Sequence, residues 1–246
     1  MKIHRYFVFV FTILALCHLL LASTGCIQPG LDSFNQQKKT NSEKALSESE
    51  IIQGLKEALR VCSKNVVTRL GRQDGYYQDP KAHIPLPESL QKVRDILDRA
   101  GLGQRLRDLE LRMNRAAEMA TPQAEPIFLD AISEMTLDEA KNILNGPDDA
   151  ATRYFQDKMA QPLAGKIAPI VREQLSKAGA VRTYEKIMGE YQKMPFVPDV
   201  SANLTSHVVD YSLQAIFDYL AVEEARIRNN PVQRTSDILR RVFGNN

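Results

Sequence analysis

From residue 47 onward, apolar residues recur at helical intervals along almost the whole chain. Ile51, Leu55, Leu59, Cys62 and Val66 share one face of a helix that Ser47-Glu-Ser-Glu50 opens as a capping box and Gly71 ends. Pro87 suits the first turn of a second helix carrying Leu90, Val93, Ile96 and Leu97, closed by Gly101. A third starts near Leu102 and holds Leu106, Leu109, Met113, Ala116, Ala117 and Ala120, with Arg107, Arg112 and Arg115 off that stripe. Pro122 then opens a segment with Ile127, Phe128, Ala131 and Ile132. Thr136-Leu-Asp-Glu139 is a second capping box, for a short helix ending at Asn145-Gly146. Pro147 restarts the chain, residues 163–178 carry another stripe before Gly179, and 180–193 form the next helix. The longest late helix runs from about Thr205 to Arg228, and Asn230-Pro231 starts a final one with Ile238, Leu239, Val242 and Phe243. No segment alternates apolar and polar residues as a half-buried strand would. The pattern predicts an all-α protein, a single compact multi-helix domain of about nine or ten helices over 47–246. No repeat of fixed period is visible.

The first 46 residues read differently. Lys2 and Arg5 precede a 17-residue apolar stretch, Tyr6 to Ala22, and no further charge appears until Asp32. Charged start, apolar run and small residues are the layout of an export signal. A retained membrane anchor is the competing reading, but it wants about 20 apolar residues, and Thr12, Cys17 and His18 dilute this run. Ser23-Thr24-Gly25-Cys26 resembles a bacterial lipobox, whose cysteine is acylated and becomes the new N-terminus. Ser23 stands where that pattern has Leu, so cleavage after Ala22 stays open as the alternative. Ile27 stands where an inner-membrane retention signal has Asp, which points to the outer membrane. Residues 1–25 are thus expected to be a lipoprotein-type signal, Cys26 the lipid attachment site, and 26–46 a flexible polar tether. Such a coil spans about 25 Å. The expected location is periplasmic and membrane-held through the N-terminal lipid.

Charge and cysteines narrow the function classes. The chain has 32 Lys plus Arg against 30 Asp plus Glu, and loss of Lys2 and Arg5 with the signal would leave 30 of each. A neutral chain with no basic run longer than two carries no electrostatic footprint for nucleic acid. After removal of Cys17 and acylation of Cys26, Cys62 stands alone, too few cysteines for a disulfide scaffold. Without acylation a Cys26–Cys62 bridge becomes available. Cys62 lies on the apolar face of the first helix, where it reads as a small core residue.

Candidate chemistry is sparse. The longest irregular stretch, GRQDGYYQDPKAHIPLP (71–87), holds Tyr76 and Tyr77 between two turn dipeptides. Loops of this length bind ligands or simply pin helix ends. Asn114 and Glu118 sit one turn apart beside an alanine face, and a buried Glu118 is a candidate acid unless Arg115 pairs with it. Asp148 and Asp149 lie near a helix start, where carboxylates satisfy free N–H groups, and Arg153 stands four residues after Asp149. The histidines outside the signal, His83 and His207, are far apart in sequence, which argues against a zinc site. No HExxH, CxxC, Gly-rich phosphate loop or GxSxG occurs, so no catalytic residue, metal or cofactor is assigned.

Four strings in order, IPLPESLQKVRDIL, MNRAAEMATPQAEPIFLDAI, MTLDEAKNILNGPDDAATRYF and RTSDILRRVFG, resemble the bacterial domain of unknown function 4197 over about residues 50–244. The resemblance implies a secreted or lipoprotein-type helical protein of Gram-negative bacteria and brings no activity with it. The functional expectation is therefore a non-enzymatic helical module that binds a protein partner or an apolar ligand. Tyr76, Tyr77, Asn114, Glu118, Asp148, Asp149 and Arg153 are the candidate contacts. A cavity beneath Tyr76 and Tyr77 would favour a carrier; a solid core with exposed apolar surface would favour protein partnership. The rival is a hydrolase-like enzyme using Glu118, Asp148 or Asp149, which requires those carboxylates to converge on Arg115 or Arg153.

Overall fold

The computed structural model describes residues 46–244. Its first helix, α1 (Glu48–Leu70), begins at the Ser47 capping box. Glu50 N donates to Ser47 Oγ at 3.3 Å and Ser47 N to Glu50 Oε2 at 2.9 Å. Gly71 closes it by donating to Val67 O. The later helices are α2 (Glu88–Lys92), α3 (Arg94–Arg99), α4 (Gly103–Ser133), α5 (Leu137–Leu144), α6 (Ala150–Lys177), α7 (Ala180–Tyr191), α8 (Leu204–Asn229) and α9 (Asp237–Phe243). One turn of 3-10 helix, Pro231–Gln233, precedes α9. Among the described residues there are no strands.

Four long helices make the frame. Lys56 Nζ reaches Ser133 O, and Gly71 abuts Pro122, so α1 and α4 run antiparallel. Arg112 on α4 donates to Ala178 O just past α6, while Ala124 faces Ile167 across a small hollow; this pair is antiparallel too. Thr152 meets Glu224, and Ile167 and Val171 lie by Leu213 and Ile216, giving the same sense to α6 and α8. Asn65 to Glu223 and Arg69 to Tyr219 complete the ring between α1 and α8. This is an up-down four-helix arrangement. Leu55, Leu59, Val66, Met113, Ala117, Phe128, Leu163, Ile167, Leu213 and Phe217 fill its centre. The short helices close the flanks: α5 and α9 pack on α1, α7 on α4 and α6, and α3 on α4. One pole thus holds the start of α1 with α5 and α9; the other holds the 71–87 loop, α2, α3 and the loop from α7 to α8.

The structure corrects four boundaries. Pro122 does not open a new helix: α4 runs 31 residues straight through Pro122 and Pro126. The buried stripe Met113, Ala117, Ala120, Ala124, Phe128, Ala131 keeps its register across both prolines, and both rings point to solvent. Beside Pro122, Thr121 Oγ1 and Gln123 Nε2 donate to the carbonyls of Ala117 and Met119. Burial of that stripe outweighs the ~3 kcal/mol that an interior proline costs. The same holds in α6, one helix through the exposed Pro162 and Pro169. The helix expected after Pro87 is instead two, broken at Val93 (φ −106°, ψ 9°), and Leu90, Val93 and Leu97 are all buried. The last helix starts at Asp237, capped by Ser236, and not at Pro231, because Arg234 turns inward to donate to Ile227 O and Arg228 O at the end of α8.

Candidate functional site

The 71–87 loop leaves the end of α1 and runs along α4 and α8, held by Glu118 and Asn114 of the one and by Tyr219 and His207 of the other. Gly75 packs so tightly that a Cβ would stand 2.4 Å from Leu70 O, and Asp74 before it adopts φ +65°. Tyr76 is wholly buried. Thr121 Oγ1 donates to Ala117 O, so Tyr76 Oη donates in turn to Thr121 Oγ1 at 3.1 Å. Burial pushes the Tyr76 phenol above its ordinary range. The backbone N–H groups of Tyr76 and Tyr77 both donate to Glu118 Oε1, at 3.2 and 3.3 Å. Glu118 Oε2 takes Arg115 at 2.7 Å, and Arg115 also holds Asp74 at 2.6 Å.

Asn114, fully buried, acts as a piece of backbone for the loop. Its Oδ1 accepts from Ile84 N at 2.9 Å and its Nδ2 donates to Ile84 O at 2.8 Å. Both ring nitrogens of His83 face oxygens, Tyr77 O at 2.8 Å and Glu110 Oε1 at 2.7 Å. His207 Nε2 donates to Pro85 O at 2.7 Å. Asp79 anchors the middle: both its oxygens lie 2.7 Å from Tyr219 Oη, with Arg69 at 3.0 Å and the amides of Lys81 and Ala82 behind. Partial burial opposes the charge of Asp79, but these donors together hold its carboxyl down at about 2. The Arg69 guanidinium stacks 4.2 Å above the Tyr219 ring.

The structure brings Tyr76, Tyr77, Asn114 and Glu118 together in this network. It places Asp148, Asp149 and Arg153 elsewhere, at the start of α6. Asp148 Oδ2 accepts from Asn229 and Asp149 Oδ2 from Arg153, both on the surface. Neither aspartate side chain caps α6. That work falls to Glu224 of α8, which accepts from the amides of Ala151 and Thr152 at 3.0 and 2.9 Å. Glu224 and the Asp79–Arg69–Tyr219 cluster escaped the sequence reading. Arg228, four residues after Glu224, was the one local signal for the first; nothing local marks a contact between Asp79 and a tyrosine 140 residues on.

Chemically, the network positions a loop: Glu118, Asp74 and Asp79 are taken up by loop amides, Arg115, Arg69 and Tyr219. Among the described residues, no group of three His, Cys, Asp or Glu side chains is placed to hold a metal. Cys62 is buried, and that burial pushes its thiol well above the ordinary range. No described helix is long and apolar enough to cross a membrane. The apolar run before Ala22, Cys26 and most of the tether lie outside the described residues.

Fold and site define the class as an all-helical domain built on a four-helix frame, with a polar-strapped loop at one pole. Residues 45–244 match the family described as a protein of unknown function, DUF4197, and the chain belongs to that family. No curated protein and no solved structure matches the chain.

Proposed function

We propose that this chain is an exported, lipid-anchored helical module, without enzymatic activity, that docks on a protein partner through the loop between α7 and α8. The observation that carries the reading is Phe196. Its ring stands entirely in solvent, and its backbone lies at φ +59°, a left-handed conformation that costs a side-chain-bearing residue about 1–2 kcal/mol. The loop around it is held on both sides. Tyr191 Oη donates to Pro198 O at 3.0 Å, Ala202 N donates to Tyr184 Oη at 2.9 Å, and Met194, Val197 and Val200 pack partly onto the core. Phe196 is therefore presented, on a loop that needs little further ordering. Burying such a ring contributes roughly 1.5–3 kcal/mol, and preorganised aromatic anchors dominate protein interfaces.

Two further observations favour a protein over the other occupants. The exposed charges flanking the ring, Glu190, Lys193 and Asp199, are of both signs, whereas an anionic lipid surface draws a basic cluster. The apolar hollow beside Thr121, lined also by Ala124, Ile167, Val171 and Ser212, holds only about 10 Å³. That is room for one water, against the several hundred Å³ of a ligand pocket. The carboxylates of the hydrolase reading sit in separate networks, Glu118 under the loop and Asp148 and Asp149 at α6. Export and anchoring rest on the leader pattern and Cys26 alone.

A photo-crosslinking amino acid placed at position 196 in the producing cell tests the docking reading. The expected result is one discrete protein adduct, absent when the crosslinker stands at Lys92 on α2 and abolished by Pro195→Asp. Adducts to lipid alone, or the same adducts from both positions, would overturn it.

A further inference from the structure

We infer that the groove between α1 and α8 binds a phosphate-type dianion. The groove is shallow and open to solvent, with room for about 500 Å³ along it. One wall is the end of α1 and the chain just past it, where Lys64 and Thr68 on the helix and Arg72, two residues beyond its last turn, are all exposed. Among the described residues Lys64 and Arg72 have no ion-pair or hydrogen-bond partner. The other wall is Glu223 and Arg226 of α8 with Gln233 of the 3-10 turn.

The remaining charges of the groove are already matched. Asn65 holds one oxygen of Glu223 at 3.0 Å and Arg226 pairs with the other. Arg69 is committed to Asp79 and stacked on Tyr219. What is left is two unpaired cations along one wall of the groove, Lys64 on α1 and Arg72 just past its end, with the Thr68 hydroxyl on the same wall and the Gln233 amide opposite. Against a chain of nearly equal opposite charges, this is a local surplus of two along a solvent-open groove lined by polar residues. A phosphomonoester, with a charge near −2 at neutral pH, matches that surplus. The planar fork of Arg72 takes two of its oxygens, Lys64 a third, and Thr68 and Gln233 supply neutral donors. A carboxylate would leave one cation unanswered. The site is independent of Phe196, which lies in the loop between α7 and α8.

The phosphate can belong to a lipid headgroup or to a soluble molecule, and two arms separate these. Full-length chain in a neutral detergent is titrated calorimetrically with inorganic phosphate at constant ionic strength. The same preparation in micelles doped with phosphatidic acid or phosphatidylcholine is weighed by native mass spectrometry. Binding of phosphate, of phosphatidic acid over phosphatidylcholine, or of both supports the site, and the pattern names the source. Lys64→Ala/Arg72→Ala should weaken that binding at least ~tenfold, since charge-assisted bonds are lost. Lys166→Ala/Arg172→Ala, which removes the same charge from the surface of α6, should leave it unchanged. Absence of binding in both arms, or equal losses in the two double variants, would overturn the proposal. The melting temperature of each variant confirms that folding is not the cause, since all four residues are exposed.

Discussion

Glu224 and Arg228, one turn apart on α8 and almost completely buried, form a 3.0 Å ion pair that closes two other helices at once. Glu224 takes the first free amides of α6 and the Thr152 hydroxyl at 2.9 Å. Arg228 donates to the last carbonyls of α5, Ile143 O at 2.8 Å and Leu144 O at 3.2 Å. Each charge thus sits at the helix end whose partial charge opposes it, and the Asn145–Asp149 turn between α5 and α6 is fixed from outside. Removing one member strands the other charge in the interior, which costs about 3–5 kcal/mol. Glu224→Ala should therefore lower the thermal midpoint, followed by circular dichroism, by about 6–20 °C at the ~2–4 °C per kcal/mol of a domain this size. Glu224→Gln, which keeps acceptor geometry on one side, should lose less than half of that.

Asn114 supports a second prediction. It satisfies both the N–H and the C=O of Ile84, a loop residue with no regular backbone partner. Asn114→Ala leaves both buried groups unpaired, at about 1–3 kcal/mol each. Amide exchange at Ile84 should accelerate by at least ~tenfold, while Val66 in α1, whose N–H bond is intrahelical, should change only with global stability. Equal acceleration at both would mean that the side chain is not a local strap.

These two cases mark where the sequence was legible and where it was not. The capping boxes at Ser47 and Thr136, the stop at Gly71 and the left-handed Gly179 before α7 are local signals, and helix boundaries followed them. Pro122 misleads because a proline rule is local, whereas the stripe that overrides it gains its energy from the helices packed around α4. Glu118 was singled out because burial on an alanine face is readable from spacing. Its role as acceptor for the Tyr76 and Tyr77 amides was not, because the donors lie 41 and 42 residues away in irregular chain. Nothing local marks Phe196: in sequence it stands with Val197 between Pro195 and Pro198, and only its exposure and backbone conformation set it apart.

Asp79 gives a pH dependence with a definite sign. Its folded carboxyl titrates at about 2, below the ordinary 3.8, so between those values the unfolded chain binds more protons. The stabilisation is complete above about pH 4 and is lost as pH falls toward 2. Its side chain is largely shielded from water, and the effect should be on the order of 1–2 kcal/mol. Urea unfolding of wild type and Asp79→Asn should differ by that amount at pH 6, and the gap should close by pH 2. A gap that stays constant over this range would show that the Tyr219 and Arg69 contacts do not depend on the carboxylate charge.

The proposed docking surface works at a membrane only if Cys26 is acylated. The apolar run and Ser23-Thr24-Gly25-Cys26 would supply an acylated N-terminus about 20 residues ahead of Ser47. One chain anchors weakly, but several on one residue hold firmly, at about 0.8 kcal/mol per buried CH₂. Intact-mass analysis of the membrane fraction should find a polypeptide beginning at Cys26 and carrying the acyl mass. Cys26→Ser should remove that species from the membrane pellet and leave either soluble protein or uncleaved precursor. A mature chain beginning at Ser23 would mean cleavage after Ala22 and a freely diffusing product. Cys62, buried on the core face of α1 with its thiol pushed above the ordinary range, offers no exposed thiol for a second acylation.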